Sequence, residues 1–141
     1  MAFKIFLDAN VLLDFTLKRE AYEDAKKLME LVVEGKVNAF VTPAIIHIVG
    51  YWLRKFYGIK KAKELLLSLL SDIHSIDIPY EIVINALLSK IDDIEDSLQY
   101  CSALHHELDY FISQDKPLQK MSNAVLPVYS VKEFLKIFYQ S

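Results

Sequence analysis

Short apolar runs alternate along the chain with stretches in which apolar residues recur every three or four positions, a pattern that predicts strands separated by helices. Residues 3–7, Phe-Lys-Ile-Phe-Leu, form the first run and end at Asp8, after which Val11, Leu12 and Phe15 take up helical spacing. In residues 21–34 the positions Ala25, Leu28, Met29, Val32 and Val33 mark an amphipathic helix, and Gly35 supplies the stop. Residues 37–41 read as a second strand. Thr42-Pro43 then gives a cap followed by proline at the first helical position, opening a helix to about Phe56. Gly58 breaks it, and residues 59–71 resume as another helix. Residues 74–78 are a short apolar run before Pro79, and residues 80–88 return to helical spacing. An acid-rich segment, residues 92–96, leads into a helix over 97–108. Residues 109–113 read as a strand followed by a polar turn over 114–117, and residues 125–129 as a last strand. Ser130-Val-Lys-Glu133 has the form of a capping box that opens a closing helix. Five strands alternating with helices predict a parallel α/β sheet covered on both faces.

Composition narrows the class. With 141 residues, 53% of them apolar, and only 3 Gly and 4 Pro, the chain has the makings of one folded domain over 1–141 rather than a disordered or repetitive protein. The 16 basic and 19 acidic side chains give a net charge of −3, so any nucleic-acid contact is expected from a local basic patch. A lone cysteine, Cys101, excludes a disulfide framework and a zinc–cysteine cluster, and suits a reducing cytoplasm. The N-terminal apolar run is too short for a signal peptide and no stretch reaches membrane-span length, so a soluble, cytoplasmic protein with no membrane association is expected.

In a right-handed parallel sheet, residues just after strands and at helix N-termini share one edge, where ligands bind at a topological switch point. Asp8 ends the first strand, Asp96 opens the helix that precedes the fourth, and Asp115 lies just past it. Convergent carboxylates repel one another and call for a cation; hard oxygen ligands suit Mg²⁺ or Mn²⁺, which can support phosphodiester hydrolysis. Each acid also has the ordinary use of capping a helix or closing a turn. Spacing alone does not separate a nuclease from a phosphatase or a receiver domain.

The blocks Leu7-Asp8-Ala9-Asn10-Val11-Leu12-Leu13-Asp14, Glu95-Asp96-Ser97-Leu98-Gln99-Tyr100-Cys101-Ser102-Ala103-Leu104 and Phe111-Ile112-Ser113-Gln114-Asp115 resemble, in order and spacing, the three signature blocks of PIN-domain ribonucleases. Many small members are the toxin half of VapBC toxin–antitoxin pairs. The resemblance implies a three-layer α/β/α fold with a mainly parallel five-stranded sheet, and a metal-dependent endoribonuclease using Mg²⁺ or Mn²⁺. It assigns Asp8, Asp96 and Asp115 as catalytic, metal-binding acids. Ser113 becomes a supporting hydroxyl, and Asn10 a residue that helps hold the first acid's loop. RNA is the implied substrate, an antitoxin protein the implied partner and a homodimer the implied assembly. One position departs from the family: the glutamate of the helix after the second strand falls on Ile48, with His47 and Asp93 as conceivable stand-ins. The second reading is therefore a PIN-fold module, impaired in catalysis, that binds RNA or protein.

Other features carry plainer expectations. Glu95, one position from Asp96 on a helix, is expected to point elsewhere and serve the helix dipole. Residues 54–63 hold Arg54, Lys55, Lys60, Lys61 and Lys63 beside Phe56 and Tyr57, either an RNA-backbone patch or a solvated face. Lys18 and Arg19, nearer the Asp8 edge, are better phosphate candidates. His105 and His106 read as surface residues near a helix end and Cys101 as core filler. The surplus apolar surface around Tyr51, Trp52 and Phe56 suggests an interface.

Overall fold

The computed structural model describes residues 2–140. Five strands, β1 (Phe3–Leu7), β2 (Val37–Val41), β3 (Ile73–Ser75), β4 (Tyr110–Ile112) and β5 (Val128–Tyr129), form one sheet in the order β3-β2-β1-β4-β5, with every adjacent pair parallel. Eight helices connect them: α1 (Ala9–Thr16), α2 (Tyr22–Val33), α3 (Pro43–Tyr57), α4 (Ile59–Leu70), α5 (Tyr80–Leu88), α6 (Ile94–His105), α7 (Lys116–Gln119) and α8 (Val131–Gln140). The chain runs outward from β1 through β2 to β3, then returns to the other side of β1 for β4 and β5. Right-handed crossovers place α1–α4 on one face and the α5–α6 pair on the other, with α8 returning beside α2.

The apolar runs become strands because the sheet is buried on both faces: Ile5, Phe6, Leu7, Phe111 and Ile112 are all essentially inaccessible. Phe6 stacks on Phe111 at 4.7 Å between ring centroids, fixing the central pair β1–β4. Removing either ring would cost about 3–5 kcal/mol. The expected caps form. Thr42 accepts the Ile45 N–H ahead of Pro43, and Gly58, at φ 84°, serves both the end of α3 and the start of α4. Ser130 and Glu133 exchange reciprocal bonds, 3.1 and 2.9 Å, at the start of α8.

Several boundaries differ from expectation, among them β3, which spans Ile73–Ser75 rather than 74–78. α6 begins at Ile94 rather than 97, because Asp93 caps it by accepting the Asp96 N–H at 2.9 Å, and it ends at His105. The turn after β4 is instead the short helix α7, with Asp115 at its N-cap and Pro117 in its first turn. The last strand is confined to Val128–Tyr129; the Asn123 side chain accepts the Val125 and Leu126 N–H groups in the approaching turn.

Candidate functional site

The direction of winding reverses at β1, so the gap between the C-terminal ends of β1 and β4 is the switch point of the sheet. The register pairs Leu7 with Ile112, which puts the next residues, Asp8 and Ser113, side by side; continuing the Phe6–Phe40 pairing brings Thr42 level with them on β2. Asp8 caps α1, its Oδ1 accepting the Ala9 N–H at 2.8 Å, while Oδ2 accepts the Ser113 hydroxyl at 2.8 Å. Ser113 is fully buried, and its Oγ also accepts the Asp115 N–H at 3.0 Å, tying the β4–α7 turn to the first acid.

Helix α6 supplies the remaining acids. It straddles the end of β1: the Gln99 carboxamide accepts the Thr42 hydroxyl on the β2 side, and Tyr100 on the β4 side packs on Phe111 and donates to the Leu126 carbonyl at 2.7 Å. This brings the first turn of α6 into electrostatic reach of Asp8 and Asp115. Burial pushes Asp96 up to about 7, reinforced in turn by the charges of Asp93, Asp115, Asp8 and Glu95. Asp8 is raised mainly by burial, against the lowering effect of its bonds to Ser113 and Ala9, with Asp115 adding to the rise. Glu95 is raised by partial burial and by Asp93 and Asp8. Glu95 is exposed in the first turn of α6, as the helix-dipole reading expects, and still feels the charge of Asp8.

Among the described residues the acids that pair with a basic group are Asp14, Glu34 and Asp77; Asp8, Asp93, Glu95, Asp96 and Asp115 have no such partner. A group of carboxylates whose charges raise the pKa of Asp8, Glu95 and Asp96, and which lacks a cation, has the donor chemistry a hard divalent ion requires. No three His, Cys, Asp or Glu side chains among the described residues close on one point as direct ligands. A groove of about 300 Å³ leaves Asp96 between α6 and α7, lined also by Lys90, Asp93 and Lys120, and a second opens beside Gln114, Asp14 and Arg19.

The other sequence candidates divide. Asn10 does not touch Asp8: it is exposed, and its backbone and side-chain oxygens accept Arg19 Nη2, both at 3.2 Å. Arg19 is itself committed to Asp14 at 2.8 Å, which removes it from the free phosphate contacts expected of it. Lys18 lies over the Tyr22 ring at 5.9 Å. Ile48 is partly buried and packs against the core, so its position fills space where the family carries an acid; His47 is exposed. Asp93 is held by its capping bond yet raises both Asp96 and Glu95. His106 meets the Asp77 carbonyl at 2.9 Å, and Cys101 is half-buried with its thiol raised by burial. In the basic segment Lys55 lies over Trp52 at 5.2 Å and Lys61 over Tyr57 at 5.9 Å.

Sequence reasoning missed Asp93 as a cap and both Thr42 and Gln99 as site neighbours. The Asp-x-x-Asp spacing at 93–96 was a readable capping signal. Thr42 and Gln99 meet across 57 positions with no local signature.

No curated protein sequence matches the chain. Among solved structures, PAE2754 from Pyrobaculum aerophilum aligns over 100% of this chain and 92% of its own, with a TM-score of 0.69 and 16% identity. VapBC2 from Rickettsia felis, bound to a DNA fragment from its promoter, aligns over 89% of this chain and 96% of its own (TM-score 0.65, 12% identity). VapC20 from Mycobacterium tuberculosis, described as a sarcin-ricin loop cleaving toxin, aligns over 83% and 94% (TM-score 0.66, 11% identity). These identities speak to the fold. The sequence match is carried by the PIN domain family model, which covers residues 4–117 and so takes in all of β1 but Phe3, the whole of α6 and the β4–Asp115 turn. On that match, and with the acids gathered at the sheet's switch point, the chain belongs to the PIN domain family.

Proposed function

We propose that this protein is a divalent-metal-dependent endoribonuclease, the toxin component of a VapBC-type pair, with Asp8, Asp96 and Asp115 as its metal-binding and catalytic acids. The observation that carries the reading is the group of partly buried carboxylates without a counter-cation at the switch point. Similarity to VapBC2 and to a toxin described as cleaving the sarcin-ricin loop supports the same class.

Asp8, Asp96 and Asp115 would hold Mg²⁺ or Mn²⁺, which when bound supplies Lewis-acid stabilisation of phosphodiester hydrolysis. The chain's own contribution is positional. Ser113 fixes one oxygen of Asp8, and the Ala9 N–H fixes the other. Asp93 caps the first turn of α6, the turn that carries Asp96. Lys90 and Lys120, on the wall of the α6–α7 groove, offer charges to a nucleic-acid backbone in a protein whose net charge is −3. Exposed Tyr80, Leu87 and Leu88 on α5 and Tyr51 and Phe56 on α3 give apolar surface for an antitoxin or a second copy.

A second reading, a PIN module that binds RNA or protein without cutting, rests on Ile48, which packs with the core where a further acid would stand. The experiment is cleavage of a mixed RNA pool with Mg²⁺, Mn²⁺ or EDTA, run beside Asp8→Asn. Cleavage requiring both metal and Asp8 is expected; RNA binding without cleavage at saturating Mn²⁺ would favour the module.

A further inference from the structure

We propose that Gln99 is a positioning residue of the carboxylate group, its Nε2 donating to an oxygen there, a carboxylate or a bound water, while Thr42 locks its amide in place. This rests on the metal-site reading above and extends it to a neutral side chain that the acid motif does not include.

Gln99 is 3% exposed and Thr42 is fully buried. Thr42 Oγ1 accepts the Ile45 N–H at 3.5 Å and donates its own proton to Gln99 Oε1, an arrangement in which Nε2 is turned away from Thr42. Gln99 Nε2 then has no hydrogen-bond partner among the described residues. A buried N–H₂ without an acceptor is costly, so its retention needs a reason. Its surroundings supply one. Gln99 follows Asp96 by three positions, on the same side of α6, and its Thr42 anchor stands level with Asp8 on the neighbouring strand. The free donor thus belongs to a residue one helical turn from Asp96 and anchored level with Asp8, whose two oxygens each accept one bond, from the Ala9 N–H and the Ser113 hydroxyl.

The geometry also bears on Ile48. It lies on α3, the helix that Thr42 caps, and contributes no oxygen. The Thr42–Gln99 pair brings polar contact to that side of the site without adding a negative charge to a group already repelling itself.

The test is Mn²⁺ binding to the full chain by calorimetry, for the unaltered protein, Gln99→Met, Thr42→Val, Thr42→Ser and Asp8→Asn, with urea unfolding of each. Outer-shell partners of metal ligands typically contribute 10–100-fold in metal affinity. Gln99→Met and Thr42→Val are expected to weaken Mn²⁺ binding by about 10-fold or more, and Thr42→Ser, which keeps the hydroxyl, to restore it relative to Thr42→Val. A purely structural pair would lower the urea midpoint and leave the Mn²⁺ constant unchanged, which overturns the inference. Binding lost in Asp8→Asn but unaltered in Gln99→Met overturns this inference alone, whereas no binding by the unaltered protein overturns the metal-site reading with it. Should both apolar variants fail to fold, the side-chain NH₂ resonance of Gln99 in the unaltered protein decides. A Mg²⁺-dependent shift saturating with binding is expected, and an unmoved resonance contradicts the proposal.

Discussion

The two acids of the first motif meet opposite fates although they sit at either end of one helix. Asp14, buried on α1, is answered by the Arg19 guanidinium at 2.8 Å, which also grips Asn10 and ties the α1–α2 turn to the helix. Asp8, capping the same helix, has a hydroxyl and an amide for company and other carboxylates for neighbours. A buried charge that is paired serves the fold. One that is hydrogen-bonded into position yet left without a counter-charge weakens the metal-free fold, and is understandable if the counter-charge arrives as a ligand.

This contrast can be broken first at its functional end. Asp8→Asn is expected to lower RNA cleavage by at least about 100-fold, the upper range for disturbing a metal site's surroundings, with no loss of metal-free stability, since one member of a repelling group is neutralised. Ser113→Ala removes the donor to Asp8 and the acceptor of the Asp115 N–H together. It should cost about 1–3 kcal/mol in urea unfolding and about 10-fold in cleavage. At the structural end, Arg19→Ala strands Asp14. With Arg19 itself partly exposed the expected loss is about 1–2 kcal/mol, with cleavage per folded molecule little changed. An equal effect of Arg19→Ala on cleavage and on stability would erase the distinction between the two acids.

The smallest effect is in pH. Asp96 titrates at about 7 against an ordinary value of 3.8, so the folded chain holds a proton that the unfolded chain releases earlier. The stability this confers is present below the unfolded value and lost as pH rises through about 7. Without divalent ions the melting temperature should therefore be lower at pH 8 than at pH 5, and Asp96→Asn should flatten that slope. Metal binding needs the deprotonated acids and should strengthen over the same interval.

What could be read from the chain follows the range of the interactions involved. Alternating apolar runs expose the strands because a doubly covered parallel sheet demands unbroken hydrophobic residues, as at Ile5-Phe6-Leu7. Asp8, Asp96 and Asp115 stand out because each ends or begins an element on one edge. The start of α6 was misread because Asp93, part of an acidic run, has a capping role that depends on one backbone bond to Asp96. Arg19 reads as a phosphate candidate in the sequence because its cationic charge says nothing of Asp14, five positions earlier and facing it only once α1 has turned. No local signal pairs Thr42 with Gln99; they meet because the sheet register and the seating of α6 bring distant segments together.

The most direct measurement is thermal unfolding at pH 8 with and without Mn²⁺, for the unaltered protein, Asp8→Asn and Arg19→Ala. If the unpaired carboxylates await a cation, Mn²⁺ raises the melting temperature of the unaltered protein and of Arg19→Ala but not of Asp8→Asn. A melting temperature indifferent to Mn²⁺ in all three, or raised equally in all three, would contradict a metal site built on Asp8.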